Sequence, residues 1–424
     1  MKKVSVVISI YFIVASLVTF TACTDPVNSN PIVEPPTNEP PISSWDGPTI
    51  VDSFKIGGLG VTCNERPLLY ENQILQLFEV DQASGANDWH VGAYNWNEAT
   101  INRSIDTIYS NSDRPNYKSM RCTQEGDCVF WGGITSRVFN VQSQTLSQKQ
   151  FEGITQPFAL ADGSMWLTSL KMPSDSFFSI GIFDPILMDT LHLFRWNTSL
   201  SNYSFVSIRE GFVSERDSEK FLYTQTEYYD RELGVSPSII HCYNLTTNTL
   251  EWSKEYDRAW PEDGSQGFGL DDKYVYTHGY NRVVAYALET GETIWTYDGP
   301  SEESLSFCPV LVGGGRVYVF NDNGGVIGLN RESGVKETFT PDVEPTVAGA
   351  DKFGDRYVLL GMGNSSIVIF NPETAQIDLS FKSPTHNLSA QRQFIWNNFS
   401  AYYDLGYIVA HDYEYVYVFD VSAY

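Results

Sequence analysis

Two tryptophans about 43 residues apart close near-copies of one segment: Leu245-Thr246-Thr247-Asn248-Thr249-Leu250-Glu251-Trp252 and Leu288-Glu289-Thr290-Gly291-Glu292-Thr293-Ile294-Trp295. Self-similarity at a period of about 40 to 45 residues restricts a chain to repeat architectures, because each repeat buries its apolar face only against its neighbours. Before the second tryptophan, Tyr274-Val275-Tyr276 and Val283-Val284-Ala285-Tyr286 flank the polar turn His278-Gly279-Tyr280-Asn281, which reads as a β-hairpin. The hairpin returns at 317–319 with 326–329, at 357–359 with 367–370 and at 407–409 with 416–419. After each comes a short polar turn and a further strand, so the unit has four strands.

Divided at these marks, the chain gives repeats at 59–108, 115–153, 154–209, 212–257, 258–299, 303–343, 344–382 and 386–424. The predicted fold is therefore all-β, an eight-bladed β-propeller of four-stranded antiparallel blades. Seven is the alternative count, since the first and third repeats are long and irregular. The last repeat ends before its outer strand, while Thr49-Ile50-Val51-Asp52-Ser53-Phe54-Lys55-Ile56 is a strand without a repeat. The N-terminal strand is expected to complete the last blade and so remove an open sheet edge.

The N-terminus carries Lys2 and Lys3, an apolar run from Val4 to Phe20 and then Thr21-Ala22-Cys23. This is a secretory signal peptide over 1–22, and its end resembles the bacterial lipobox, with Phe20 where leucine is usual. The resemblance implies acylation of Cys23 by fatty acids such as palmitate and a place in the bacterial envelope, anchored to the outer membrane and facing periplasm or cell surface. Ordinary cleaved secretion is the alternative. Residues 23–45 form a Pro-rich tether with too little apolar surface to order itself, and 46–424 form the propeller domain.

The 27 basic against 52 acidic residues give a formal charge of −25. That sign argues against nucleic acid or an anionic lipid surface as partner. After export and loss of the signal, Cys63, Cys122, Cys128, Cys242 and Cys308 remain besides the acylated cysteine. Cys122 and Cys128 bracket the turn-rich Thr-Gln-Glu-Gly-Asp and are expected to form a disulfide that staples a hairpin; two free thiols on adjacent strands is the alternative. Asn321-Asp322-Asn323-Gly324-Gly325 has an oxygen-rich look but lies inside a hairpin, so a tight turn is expected there rather than a calcium loop.

The segment AYALETGETIW, Ala285 to Trp295, resembles the PQQ-like repeat of quinoprotein dehydrogenase propellers and of outer-membrane assembly lipoproteins of the BamB type. The pattern is complete near 239–300 and weaker copies extend it from Val129 to the C-terminus; Thr338 and Leu379 stand where the tryptophan belongs. The resemblance implies a propeller. It does not imply the quinone: the dehydrogenases carry adjacent paired cysteines and calcium-binding carboxylates, and no Cys-Cys dipeptide occurs here. No cofactor or metal is expected.

The six histidines are scattered, and neither a Gly-x-Ser-x-Gly elbow nor a phosphate loop is present. A binding role is thus favoured over a catalytic one. Lys171 to Leu193 departs most from the repeat, placing Phe177, Phe178 and Leu187 where a solvated loop would be polar; it reads as an insertion packed on its own blade, with contact to a protein partner as the alternative. A second candidate is an extended loop holding Tyr228 and Tyr229. The leading expectation is a lipid-anchored scaffold for protein–protein interaction in outer-membrane protein assembly. The alternative is a carbohydrate- or small-ligand-binding protein or enzyme using the mouth of the propeller channel.

Overall fold

Runs rich in valine, isoleucine and tyrosine form strands because branched and aromatic side chains suit a pleated surface buried on both faces. Each hairpin of the repeat closes as its sequence predicts: Tyr274–His278 pairs with Arg282–Ala287, Arg316–Phe320 with Val326–Asn330, Arg356–Gly361 with Ile367–Asn371, and Tyr407–His411 with Tyr415–Asp420. The computed structural model describes residues 45–424 apart from 56–60, 63–66, 71–72, 82–86, 96–99, 103–120, 123–126, 133–134, 141–142, 144, 151–153, 160–165, 172–176, 185–188, 198–202, 231–237, 257–266, 301–303, 306–308, 342, 344–346, 362–365, 386–393, 395–398 and 413–414. Through most of 54–210 and at 227–230 the description is of the backbone.

Among the described residues the strands form eight antiparallel sheets. Six of them, over 121–150, 154–197, 203–255, 267–298, 311–340 and 347–381, contain four strands consecutive in sequence and paired in that order. The sheet over 61–102 adds a fifth strand, Leu68–Tyr70, paired with Gln73–Asp81. In the last sheet Phe399–Tyr402, Tyr407–His411 and Tyr415–Asp420 are joined by the strand Thr49–Lys55.

First strands of successive sheets touch one another where contacts are seen: Ile154–Ala159 with Tyr203–Arg216, Gly267–Leu270 with Leu311–Gly313 and Val347–Phe353 with Phe399–Tyr402. First strands therefore gather on the inside and fourth strands lie outside, the organisation of a β-propeller. The burial pattern agrees. Tyr274–His278 and Arg282–Ala287 are buried almost throughout, whereas the outer strand Thr249–Glu255 buries Trp252 alone. The core consists of apolar layers between neighbouring sheets, such as Tyr276, Ala285 and Trp295 packed with Val317, Val319, Ile327 and Leu329. Trp45 packs against Phe381 and Phe419.

Two expected boundaries move. Tyr203–Arg216 is one continuous strand and opens the fourth sheet, where the sequence suggested a break near 210. The fourth strand of the preceding sheet is Asp189–Asn197. A register irregularity between Ile208 and Glu210 bends the long strand without ending it, which is what a β-bulge does. No helix among the described residues is long and apolar enough to cross a membrane.

Candidate functional site

Because every sheet runs up and down, its connections fall on two opposite ends. One end carries the first-to-second and third-to-fourth turns, here the turn face. The other carries the second-to-third hairpin loops and the links between sheets, here the loop face. Hydrogen bonds confirm the grouping: on the loop face Leu305 N donates to Tyr280 O at 2.6 Å and Gly325 N to Val343 O at 2.7 Å.

On the turn face each sheet docks onto the next through the repeat itself. Trp252 Nε1 donates to Leu288 O at 3.1 Å, and Trp295 Nε1 donates to Arg331 O at 2.8 Å. The two indoles lie on Gly291 and Gly334, where an added Cβ would sit 2.6 and 2.5 Å from the ring. Both glycines have φ near +67° to +69°, as turn residues in the left-handed region do. In the next pair of sheets the indole is missing: Thr338 stands opposite Gly328, and Ala375 replaces the glycine at φ 56°. There the phenol of Tyr318 donates to Pro372 O, and Arg316 donates to Glu373 O at 3.4 Å, so the carbonyls of the following turn are still met.

Ion pairs join the same turns. Arg331 pairs with Asp271 at 2.8 Å and with Asp272 at 2.5 Å, while Lys273 Nζ meets Glu332 Oε1 at 2.9 Å. Tyr274 OH donates to Glu332 Oε2 and Tyr276 OH to Asp271 Oδ2, each at 2.6 Å. The hydroxyl and ammonium around Glu332 hold its carboxyl below the ordinary glutamate range. These groups satisfy one another and bridge two sheets, so their chemistry is structural.

Toward the loop face, Asp412 is fully buried and its Oδ2 accepts Ser383 Oγ and Thr385 Oγ1 at 2.7 Å and Tyr417 OH at 3.1 Å. Its Oδ1 accepts the backbone N–H of Tyr415 at 2.7 Å. Burial, with the nearby Asp412 carboxylate, raises the Tyr417 hydroxyl well above the usual tyrosine range. His241 lies between Thr226 Oγ1 at 2.9 Å and Ser253 Oγ at 2.8 Å, and burial depresses its pKa to about 3, fixing it neutral. Cys242 is a buried free thiol pushed up to about 12, which makes it a poor nucleophile. The turn at 321–325 is a tight one: Asn321 Oδ1 accepts the N–H of Asn323 at 2.7 Å, and Gly324 and Gly325 have φ of 98° and 95°.

The residues expected to meet a partner lie in strands, not loops. Phe177 and Phe178 begin Phe177–Asp184, opposite Asn197 and Trp196. Tyr228 and Tyr229 lie in Glu219–Asp230, opposite Val206 and Phe205. All four stand at the loop-face ends of two consecutive sheets. Leu187 lies outside the described residues. One feature had no counterpart in the sequence reading: Ser238–Asn244 pairs with Glu219–Asp230 only from Phe221 to Glu227, so 203–206 and 228–230 continue as a two-stranded ribbon past the sheet. Alternation from Tyr203 to Arg216 was its only sequence signal. Cys23 is outside the described residues; Cys122 and Cys128 stand opposite each other in register.

Comparison with known proteins bears on this architecture. A family model described as outer membrane protein assembly factor BamB matches residues 236–397. No curated protein matches by sequence. The crystal structure of BamB from Moraxella catarrhalis superposes with a TM-score of 0.55 at 13% identity, covering 88% of this chain and 99% of that one. The computationally designed Ika8 protein gives 0.52 at 10% identity, covering 86% and 98%, and the C-terminal WD40 domain of Sif2 gives 0.50 at 12%, covering 88% and 96%. At such identities the likeness establishes fold alone. The chain is a β-propeller in which residues 236–397 match the PQQ-like repeat model, and in fold it resembles BamB.

Proposed function

We propose that this chain is a lipid-anchored scaffold of the bacterial envelope, an eight-bladed propeller that presents its loop face to a protein partner in outer-membrane protein assembly. What carries the reading is the match of 236–397 to the BamB family model together with a superposition that spans nearly all of a BamB chain. The eight sheets are taken as eight blades, the last closed by Thr49–Lys55. Thr49 stands opposite Asp420, which also faces Tyr407 just after the turn 403–406, so the closing strand starts on the turn face. A tether leading from Cys23 to that end would hold the turn face toward the membrane and leave the ribbon of 203–206 and 228–230 facing outward. The acidic charge of −25 suits a partner with a basic surface.

Photo-crosslinkers placed at Phe178, Tyr229 and Leu187 in the lipidated protein, activated in its native membrane, test this reading. The expected result is a reproducible adduct with a β-barrel assembly protein from positions 178 and 229 and none from 187. Recovery of the bait alone from all three positions would overturn it.

A further inference from the structure

The first strand of the sheet over 121–150 is short: Arg121–Cys122 pairs through two residues only, Arg121 with Val129 and Cys122 with Cys128. Two ladder positions are few for a strand that must hold its place on the inside of the propeller, where it contacts the neighbouring strand Leu68–Tyr70. The register sets the two cysteines directly opposite each other. Opposed Cα atoms of an antiparallel pair are about 4.5 to 5.5 Å apart and their residues share one face of the sheet. A disulfide needs about 4.4 to 6.8 Å between the same atoms. The backbone thus reaches bonding distance with no movement.

We infer that Cys122 and Cys128 form a cross-strand disulfide that fastens the inner strand of this sheet to its neighbour, replacing the ladder that Arg121–Cys122 is too short to supply. The inference rests on the reading that the domain is exported to an oxidising compartment. Formation needs a disulfide oxidant, in the envelope a protein dithiol–disulfide carrier and in the test tube oxidised glutathione. One cysteine thiolate attacks the oxidant's disulfide and releases a thiolate. The second thiolate then attacks the mixed disulfide, closing the Cys122–Cys128 bond and releasing the other thiolate. Two electrons pass to the oxidant, and the two cysteine protons end on its thiols. Cys242 takes no part, since it is buried in a different sheet.

The test uses the lipidated protein from its native membrane, with free thiols alkylated before digestion. The expected result is one peptide pair joined through Cys122 and Cys128. Bonding of either residue to Cys63 or Cys308 would overturn the inference. If both are instead alkylated without reduction, a portion of the protein that has not been alkylated is incubated with oxidised glutathione: formation of the bond upholds the pairing and counts against the export reading, and its failure to form overturns the pairing. The fastening role is read by hydrogen exchange. Reduction should speed exchange across 121–132 by tenfold or more while leaving 274–287 unchanged, and unaltered exchange at 121–132 would overturn that role.

Discussion

The indole N–H of Trp295 donates to the carbonyl of Arg331 in the next sheet at 2.8 Å, and the side chain of that same Arg331 returns to pair with Asp271 in the sheet of Trp295. The interface is thus fastened in both directions, by Trp295 and Asp271 on one side and by the backbone and side chain of Arg331 on the other. Trp295→Phe, which keeps the bulk and removes the donor, is expected to cost about 1 to 2 kcal/mol. Trp295→Ala, which also opens a cavity, should cost about 3 to 5 kcal/mol. Gly334→Ala should cost about 1 to 3 kcal/mol, because its Cβ would fall 2.5 Å from the ring at a φ of 69°. Urea unfolding monitored by tryptophan fluorescence checks the order.

Asp271 serves four donors at once: the amides of Lys273 and Tyr274, the phenol of Tyr276 and the Arg331 guanidinium. Asp271→Asn retains an acceptor for the amides, whereas Asp271→Ala strands all four. The alanine variant should lose about 2 to 4 kcal/mol and the asparagine variant about half as much. Equal losses in chemical denaturation would show that the charge, not the hydrogen bonding, dominates.

Acid should act through His241. Its ring protonates near 6.5 when unfolded but only near 3 in the folded protein, so the unfolded state binds the extra proton between those values. Its contribution is full above pH 6.5 and falls as pH drops toward 3, with a slope approaching about 1.4 kcal/mol per pH unit. His241→Gln removes the titration, so the stability gap between wild type and variant should narrow between pH 7.5 and 4.5. A constant gap across that range would refute the assignment.

Cys242 should resist thiol reagents in the native state, since burial raises its pKa to about 12. Labelling at pH 8 is expected only after denaturant is added. Rapid modification of folded protein at this position would contradict the structure.

Deleting 49–55 should leave the strand Tyr415–Asp420 with an open edge. Uncapped edges of this length pair with other chains, so light scattering is expected to show concentration-dependent association beyond that of the intact chain.

The sequence disclosed most where packing constrains it most. Trp252 and Trp295 were readable because each must fit one glycine and one carbonyl, and the strand Thr49–Lys55 was readable because the strand pattern over 49–56 had no repeat to belong to. The interface after Gly328 was opaque for the opposite reason: Tyr318 and Arg316 reach the next turn from another strand, so the function of the lost tryptophan passed to positions the repeat does not mark. Phe177, Phe178, Tyr228 and Tyr229 looked like loop residues because apolar runs without alternation do not distinguish a long strand from an insertion. Their common placement depends on how consecutive sheets align, which no local pattern encodes.

The pairing of Thr49–Lys55 with Tyr415–Asp420 also sets an order of events. A chain made from its N-terminus produces the closing strand first and its partner last, so that strand must wait unpaired while almost the whole domain is completed. The other sheets can assemble from strands already present, but this pairing waits for Tyr415–Asp420. It therefore comes late in folding, and a chain that stops before Tyr415 leaves Thr49–Lys55 without its partner strand.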